Sequence, residues 1–216
     1  MAFDPVRLDV AVGPVVLSIL RPRSAEDLID EVDYARDERL PYWAELWPSA
    51  LVLGERLTAR ALGGLRTVEL GCGVGLPSIV AALGGAAALA TDWYHEALAF
   101  TRANARAAGA PVETMAVDWR EPPRALLERA PADLVIGADL LYEERNGGAL
   151  AALLARLLPP DGEALITDPR RPHAVSLTEP LRAAGWTHER QEVAHRGRPD
   201  ESGTVIHLHR LIAPGA

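Results

Sequence analysis

Residues 68–77, "VELGCGVGLP", place three glycines at every second position between an apolar run and a predicted helix start. Glycines that follow a first strand allow a tight turn and let a nucleotide lie close to the backbone. Gly71, Gly73 and Gly75 have the spacing G-x-G-x-G, and Leu76 stands where a dinucleotide fingerprint, G-x-G-x-x-G, has its third glycine. This spacing argues against a loop that holds a diphosphate at a helix N-terminus.

An acidic residue beside the loop narrows the class of ligand. Glu69 would repel a phosphate, whereas it suits a ligand that carries a cation. S-adenosylmethionine has an α-amino group and a sulfonium and carries no phosphate, so it is the cofactor that this loop predicts. The alternative is a glycine-rich structural turn that binds nothing.

Two further carboxylates end the next two predicted strands. Asp92, in "ATDW", lies about twenty residues beyond the loop, where an acidic residue accepts both ribose hydroxyls of an adenosine, although it also suits a helix N-cap. Asp118, in "AVDW", can accept from an adenine amino group, and Trp119 can lie against the ring or pack in the core. Trp93, next to Asp92, is a further candidate for cofactor contact. Acids at the ends of three successive strands predict one adenosine site.

The elements that must position these residues form a regular series. Short β-branched runs alternate with helical stretches from residue 67 to Gly185, which predicts an α/β fold with a doubly wound, mostly parallel sheet. The tail departs from this series. "THERQEVAHR" and "GTVIHLHRL", separated by a Gly/Pro/Asp turn, predict an antiparallel hairpin.

The N-terminal part differs from the rest of the chain. Residues 1–40 predict an extension made of a β-ribbon that turns at Gly13 and of a helix in "AEDLIDEV", capped by Ser24. Residues 41–216 then form the main domain, with its first helix starting near Ser49. The ribbon either covers the acceptor site as a lid or pairs with an edge of the sheet.

Composition restricts the partners and the compartment. The net charge of -8 argues against a long nucleic-acid partner, because neutralising phosphates needs a clustered basic face. Cys72 is the single cysteine and cannot form an internal disulfide, and no apolar run approaches the ~20 residues of a membrane span. We therefore expect a cytoplasmic protein with no membrane partner. All 22 basic residues are arginine, which, with the many alanines and prolines, suggests a GC-rich bacterial genome.

Taken together, these motifs resemble those of the class I S-adenosylmethionine-dependent methyltransferases, whose Rossmann-like, seven-stranded sheet ends in such a hairpin. The resemblance covers roughly residue 40 to the C-terminus. "ADLLYEERN" resembles the D-x-x-Y element of the family-sixteen methyltransferases, a group with many protein-lysine methyltransferases. "PYWAELWPSALVLGERL" and "DPRRP" are similar to two other recurring elements of that group. The resemblance implies an enzyme, an N-methyltransferase that acts on a protein side chain such as lysine.

The resemblance also implies roles for three residues. Asp139 would hold the substrate amine beside the cofactor, Tyr142 would shape the acceptor channel, and Trp47 would close over the methionine side of the cofactor. A carboxylate beside an ammonium favours its charged form, so Asp139 would orient the amine rather than lower its pKa. The alternatives are that Asp139 caps the next helix and that Tyr142 only packs.

Other functions compete with this interpretation. A small-molecule amine methyltransferase has the same fold, and a module that binds the cofactor without catalysis would show the same motifs. A nicotinamide-dependent oxidoreductase is disfavoured by Leu76 and Glu69. The sequence does not indicate an oligomeric state.

Four further polar positions carry weaker signals. His207 and His209 share one face of a strand, but no third metal ligand has a suitable spacing, so we expect no metal site and a half-exposed hairpin. Arg171 and its neighbour Arg170 either contact an acidic substrate surface or lie in a solvated loop.

Overall fold

The structure, a computed structural model, describes residues 4–25, 28, 40–195 and 203–215. Most of the helix predicted in "AEDLIDEV" therefore lies outside the described residues. The strands are β1 (Pro5–Val12), β2 (Val15–Pro22), β3 (Arg66–Leu70), β4 (Ala87–Asp92), β5 (Val112–Ala116), β6 (Leu134–Ala138), β7 (Glu163–Asp168), β8 (Thr187–His195) and β9 (Thr204–Ile212).

Seven of these strands form one sheet, in the order β5-β4-β3-β6-β7-β9-β8. The first five run parallel, whereas β9 is antiparallel to both β7 and β8. The prediction of a seven-stranded, mostly parallel sheet that ends in an antiparallel hairpin is confirmed. The strand order changes direction between β3 and β6, so the carboxyl ends of these strands border the crevice where open α/β sheets bind their ligands.

Helices cover both faces of the sheet. They are α1 (Pro48–Thr58), α2 (Leu76–Leu83), α3 (His95–Ala108), α4 (Arg124–Leu127), α5 (Glu144–Leu157) and α6 (Val175–Ala183), with 3-10 turns at Tyr42–Ala44 and Pro172–Ala174. Helix α3 ends at Gly109, which is left-handed at φ 67°, as the sequence predicts. No helix within the described residues is long and apolar enough to cross a bilayer.

The central strands are buried on both faces, which explains their continuous apolar runs. Along β6, Leu134 and Ile136 join the core beneath α1, α2 and α3. Val135, between them, points to the opposite core, beneath α4, α5 and α6. The carboxyl end of β6 is thus held rigidly where it carries the D-x-x-Y segment.

The N-terminal ribbon does not pair with an edge of the seven-stranded sheet within the described residues, and its role as a lid stays a prediction. Strands β1 and β2 pair with each other, and their inward side chains belong to the core beneath α1, α2 and α3. Asn104 of α3 accepts from the backbone N–H of Leu20 at 2.7 Å and donates to its carbonyl at 2.9 Å. The same amide donates to the carbonyl of Val74 at 2.9 Å, so one buried side chain ties the ribbon to the glycine loop. The division into an extension and a main domain stays a prediction.

Candidate active site

A cleft opens to solvent at the carboxyl ends of β3, β4, β5 and β6. Ten of the eleven site residues predicted from the sequence line it: Trp47, Glu69, Gly71, Gly73, Asp92, Trp93, Asp118, Trp119, Asp139 and Tyr142. Gly75 is not among the described residues that line the cleft. The structure thus brings together nearly all the residues on which the sequence argument depends.

The glycine loop is shaped by contacts with the protein itself. Gly71 is left-handed at φ 65°, and a Cβ there would lie 2.6 Å from Cδ2 of Leu140 and 3.2 Å from Cζ2 of Trp119. Gly75 has φ 90°, begins α2 and would direct a Cβ to within 2.6 Å of Thr101, away from the cleft. Its predicted cofactor contact has no support in this geometry, because Gly75 turns the chain into the helix.

Glu69 lies fully beneath the loop. Its Oε2 accepts from the backbone N–H of Ser78 at 2.9 Å and from the Ser78 hydroxyl, so the carboxyl caps α2 as well as lining the cleft. Burial raises the pKa of Glu69 to about 8. A cation bound beside Glu69 would favour its ionised form, which is the electrostatic condition for holding an α-ammonium group.

Asp92 is bound to backbone N–H groups on both sides. Its Oδ2 accepts from Gly73 and its Oδ1 from Tyr94, each at 2.9 Å. Burial raises the pKa of Asp92 to about 6. The cap position of α3 is Tyr94, with no side-chain cap bond, so Asp92 is not the N-cap of that helix. Each carboxylate oxygen has a further lone pair, which leaves Asp92 able to accept two ribose hydroxyls.

Two tryptophans flank the third acid. Oδ1 of Asp118 accepts from the backbone N–H of Arg120 at 2.9 Å, and the Arg120 guanidinium lies 6.0 Å from the centre of the Trp93 ring. Trp119 is partly buried, and its Nε1 is buried without a hydrogen-bond partner in the described structure. Unpaired buried donors are rare in folded proteins, so this N–H of a cleft-lining residue is a candidate donor to a bound ligand.

Asp139 is the most unusual residue of the site. It is non-glycine yet left-handed, at φ 57°, and only 6% exposed. Its Oδ1 accepts from Nε of Arg171 at 2.8 Å, whereas its Oδ2 is buried and has no partner within the described part of the chain. The cap of α5 is Glu143, so the alternative that Asp139 caps this helix is wrong. Strained backbone together with a vacant buried oxygen is typical of a functional site.

Aromatic side chains form the wall beside Asp139. The Tyr142 ring lies 4.9 Å from that of Tyr42, and Nε1 of Trp47 donates to the Tyr42 carbonyl at 2.9 Å. Burial raises the pKa of Tyr142 to about 12, so the phenol stays neutral at physiological pH. Tyr42, which the sequence argument did not single out, therefore connects two predicted site residues.

Comparison with known proteins agrees with this geometry. A family model described as lysine methyltransferase matches residues 36–177, well over half of the chain. The chain belongs to the lysine methyltransferase family.

Relatives of this family member include the protein N-terminal and lysine N-methyltransferase EFM7 of Cryptococcus neoformans, 32% identical over 72% of this chain and 56% of that protein. The histone-arginine methyltransferase METTL23 of Mus musculus is 30% identical over 54% of this chain and 48% of that protein. The chain thus spans about half the length of these two relatives. An S-adenosylmethionine-dependent methyltransferase structure from Agrobacterium tumefaciens shares the fold, with TM-score 0.66, 16% identity, and coverage of 99% of this chain and 71% of that one.

The structure of this family member also corrects the interpretation of the hairpin. Asp168, at the end of β7, is the third polar group beside His207 and His209, and candidate ligand atoms of the three lie within 4.8 Å of one another. The histidines are buried, not half-exposed. Nε2 of His209 lies 2.6 Å from Oδ2 of Asp168, and its Nδ1 lies 2.9 Å from Nε2 of His188. Both nitrogens of His209 therefore have partners without a metal ion.

Arg171 is the main functional candidate that the sequence argument underestimated. It was expected on an acidic substrate surface or in a solvated loop, whereas its guanidinium binds Asp139. The "DPRRP" segment was the available signal, but the contact spans 32 residues along the chain and depends on β6 and β7 being neighbours.

Proposed function

We propose that this chain is an S-adenosylmethionine-dependent N-methyltransferase that modifies a protein side chain, with lysine as the leading acceptor. The observation that carries the proposal is Oδ2 of Asp139, a buried carboxylate oxygen that has no hydrogen-bond partner among the described residues and belongs to a residue that lines the cleft. A carboxylate left without a partner in a folded protein fits a ligand that brings its own N–H donor. Family membership and the named activity of the Cryptococcus relative support a protein acceptor.

The residues of the cleft fit the cofactor. Glu69 would face its α-ammonium group, Asp92 its ribose hydroxyls, and Asp118 its adenine amino group. The unpartnered Nε1–H of Trp119 would donate to an acceptor of the same ligand. When bound, S-adenosylmethionine would supply an electrophilic methyl group to the unprotonated acceptor nitrogen and would leave as S-adenosylhomocysteine.

The chain's own contribution is to orient the acceptor and to exclude water. Asp139 would accept an N–H of the amine through Oδ2 and so fix the direction of the nitrogen lone pair. Tyr42, Tyr142 and Trp47 would close around the alkyl chain of the acceptor, and the neutral Tyr142 phenol adds no competing charge. No covalent intermediate with the enzyme is needed for this chemistry.

Incubation with methyl-labelled cofactor and a cell extract tests the proposal. We expect label in a polypeptide, acid-stable on lysine by mass spectrometry, and none with the Asp139→Ala variant. Label found only in the dialysable fraction would favour a small-molecule amine instead. If S-adenosylhomocysteine raised the melting temperature while no fraction acquired label, the chain would be a binding module without catalysis.

The proposal includes a bacterial source and a cytoplasmic location. The all-arginine set of basic residues supports the first, and the single cysteine is consistent with the second. Detection of the protein by fractionating its host cells would test the location directly.

A further inference from the structure

We infer that Arg171 is a positioning residue that presents Asp139 to the methyl acceptor, and that Asp168, held by His209, keeps Arg171 in place. The inference rests on the proposed function, since it concerns the acceptor side of the same cleft. It extends the site to the loop after β7 and to the C-terminal hairpin.

Arg171 binds only one of the two carboxylate oxygens of Asp139. Nε of Arg171 donates to Oδ1 at 2.8 Å, and the carboxylate is 4% exposed against 32% for the guanidinium side chain. A hydrogen bond to one oxygen restricts rotation of the carboxylate and leaves the other oxygen in a defined direction. Arg171 thus occupies half of Asp139 and reserves Oδ2 for the acceptor.

The backbone at Arg171 is itself fixed by a buried acid. Oδ1 of Asp168, which is 0% exposed, accepts from the backbone N–H of Arg171 across a turn in which Arg170 is left-handed at φ 62°. Oδ2 of Asp168 is 2.6 Å from Nε2 of His209. Both oxygens of Asp168 are therefore used to hold the turn, and the second partner comes from β9.

Two further details distinguish the Arg171–Asp139 pair from an ordinary surface ion pair, which contributes little to stability. The acid partner is buried, and it lines the cleft. His209 is in turn in contact with His188 of β8, so a continuous chain of polar contacts runs from the edge strand of the sheet to the acceptor carboxylate. Such a chain of contacts can fix the orientation of Asp139 from the edge strand, a distance that no single side chain spans.

The charges around Asp139 agree with a positioning role. Burial raises the pKa of Asp139, the Arg171 guanidinium lowers it, and the Asp168 carboxylate raises it slightly. Tyr42 also faces Arg171 from the aromatic wall. Without the guanidinium, Asp139 would take up a proton at a higher pH, and a protonated Oδ2 would present a donor where the N–H of the amine needs an acceptor.

The test compares Arg171→Gln, Arg171→Lys and Arg170→Gln in the full chain. The probes are S-adenosylhomocysteine, for binding by calorimetry, and the polypeptide that the wild type labels, for transfer rates against its concentration and pH. We expect Arg171→Gln to bind S-adenosylhomocysteine within twofold of wild type, to lose about tenfold or more in kcat/KM for the polypeptide, and to shift the acid limb of its pH profile upward by about one unit. Arg171→Lys keeps the charge and should restore the acid limb while recovering only part of the rate.

The control, Arg170→Gln, changes an exposed neighbour in the same turn and should leave every readout at the wild-type value. His209→Gln, which removes the support of Asp168, should shift the acid limb in the same direction as Arg171→Gln. Wild-type kcat/KM and an unmoved acid limb in Arg171→Gln would overturn the inference and leave the proposed function standing. A wild type that transfers no label to any polypeptide would overturn both.

Discussion

Replacing Asp139 by asparagine measures how much Oδ2 of Asp139 contributes to the rate of methyl transfer. Asparagine has nearly the same size and tolerates the left-handed conformation observed at φ 57°. Its carbonyl oxygen can still accept from Arg171, but its NH₂ group replaces Oδ2 and faces the incoming amine with a donor. The variant therefore keeps the fold and removes one charge-assisted hydrogen bond to the acceptor.

The size of the effect follows from that single contact. A hydrogen bond to a charged group contributes about 1.5–3 kcal/mol, which corresponds to a loss of about 10- to 150-fold in kcat/KM. We expect no loss of melting temperature, because the substitution removes a buried charge whose pKa is already raised by burial. Binding of S-adenosylhomocysteine should change by less than the transfer rate.

A matched control is available elsewhere in the chain. Asp161 is also left-handed, at φ 60°, but is exposed in the turn before β7. Asp161→Asn should leave label transfer unchanged, which separates the effect of the backbone conformation from that of the carboxylate in the cleft. If Asp139→Asn transferred label within twofold of the wild-type rate, Oδ2 would not hold the acceptor and the central argument would be wrong.

Three other perturbations test separate features. Trp119→Phe removes the Nε1–H that has no partner in the described structure and keeps an aromatic ring, so it should weaken S-adenosylhomocysteine binding several-fold in calorimetry, and an unchanged affinity would show that this N–H makes no contact with the ligand. Because the folded-state pKa of Glu69 is raised from 4.5 to about 8, the free energy of unfolding should fall as pH rises from about 4.5 to about 8. Urea unfolding at several pH values should show a weaker pH dependence of this free energy in Glu69→Gln. Wild type should bind S-adenosylhomocysteine more tightly at higher pH, and Glu69→Gln should not. Asn104→Ala removes three hydrogen bonds of a buried amide and should lower the free energy of unfolding by about 2–4 kcal/mol, whereas an unchanged value would show that the ribbon is anchored by its apolar contacts alone.

Local sequence patterns were sufficient for most of the fold. Alternating apolar runs, the stop at Gly109 and the hairpin composition at the C-terminus each depend on neighbouring residues, and each was confirmed. The positions of Asp92 and Asp118 also followed from the sequence, because strand ends in a parallel sheet converge on one edge. An element can be predicted from residues adjacent in the sequence when the interactions that form it are local.

Features that depend on pairing between distant strands were not predictable in this way. Asp168 meets His209 because β9 inserts beside β7 with a specific register, and no spacing in the sequence encodes that register. Arg171 meets Asp139 for the same reason, through the adjacency of β6 and β7. Pairing with an edge of the sheet was the wrong expectation for the ribbon, because its contact with Asn104 spans 84 residues along the chain and no local pattern sets this asparagine apart from the other polar residues of α3.

The three bonds of Asn104 give the ribbon a thermodynamic connection to the cleft. Its amide holds Leu20 on one side and the carbonyl of Val74, within the glycine turn, on the other. A ligand that reduces local opening of the glycine turn should also reduce opening at the peptide group of Leu20. Amide protons of β2 should then exchange more slowly with solvent deuterium. A fragment that begins after the ribbon would retain the whole family match and the bond from Asn104 to Val74, but its Asn104 amide would lose both partners at Leu20.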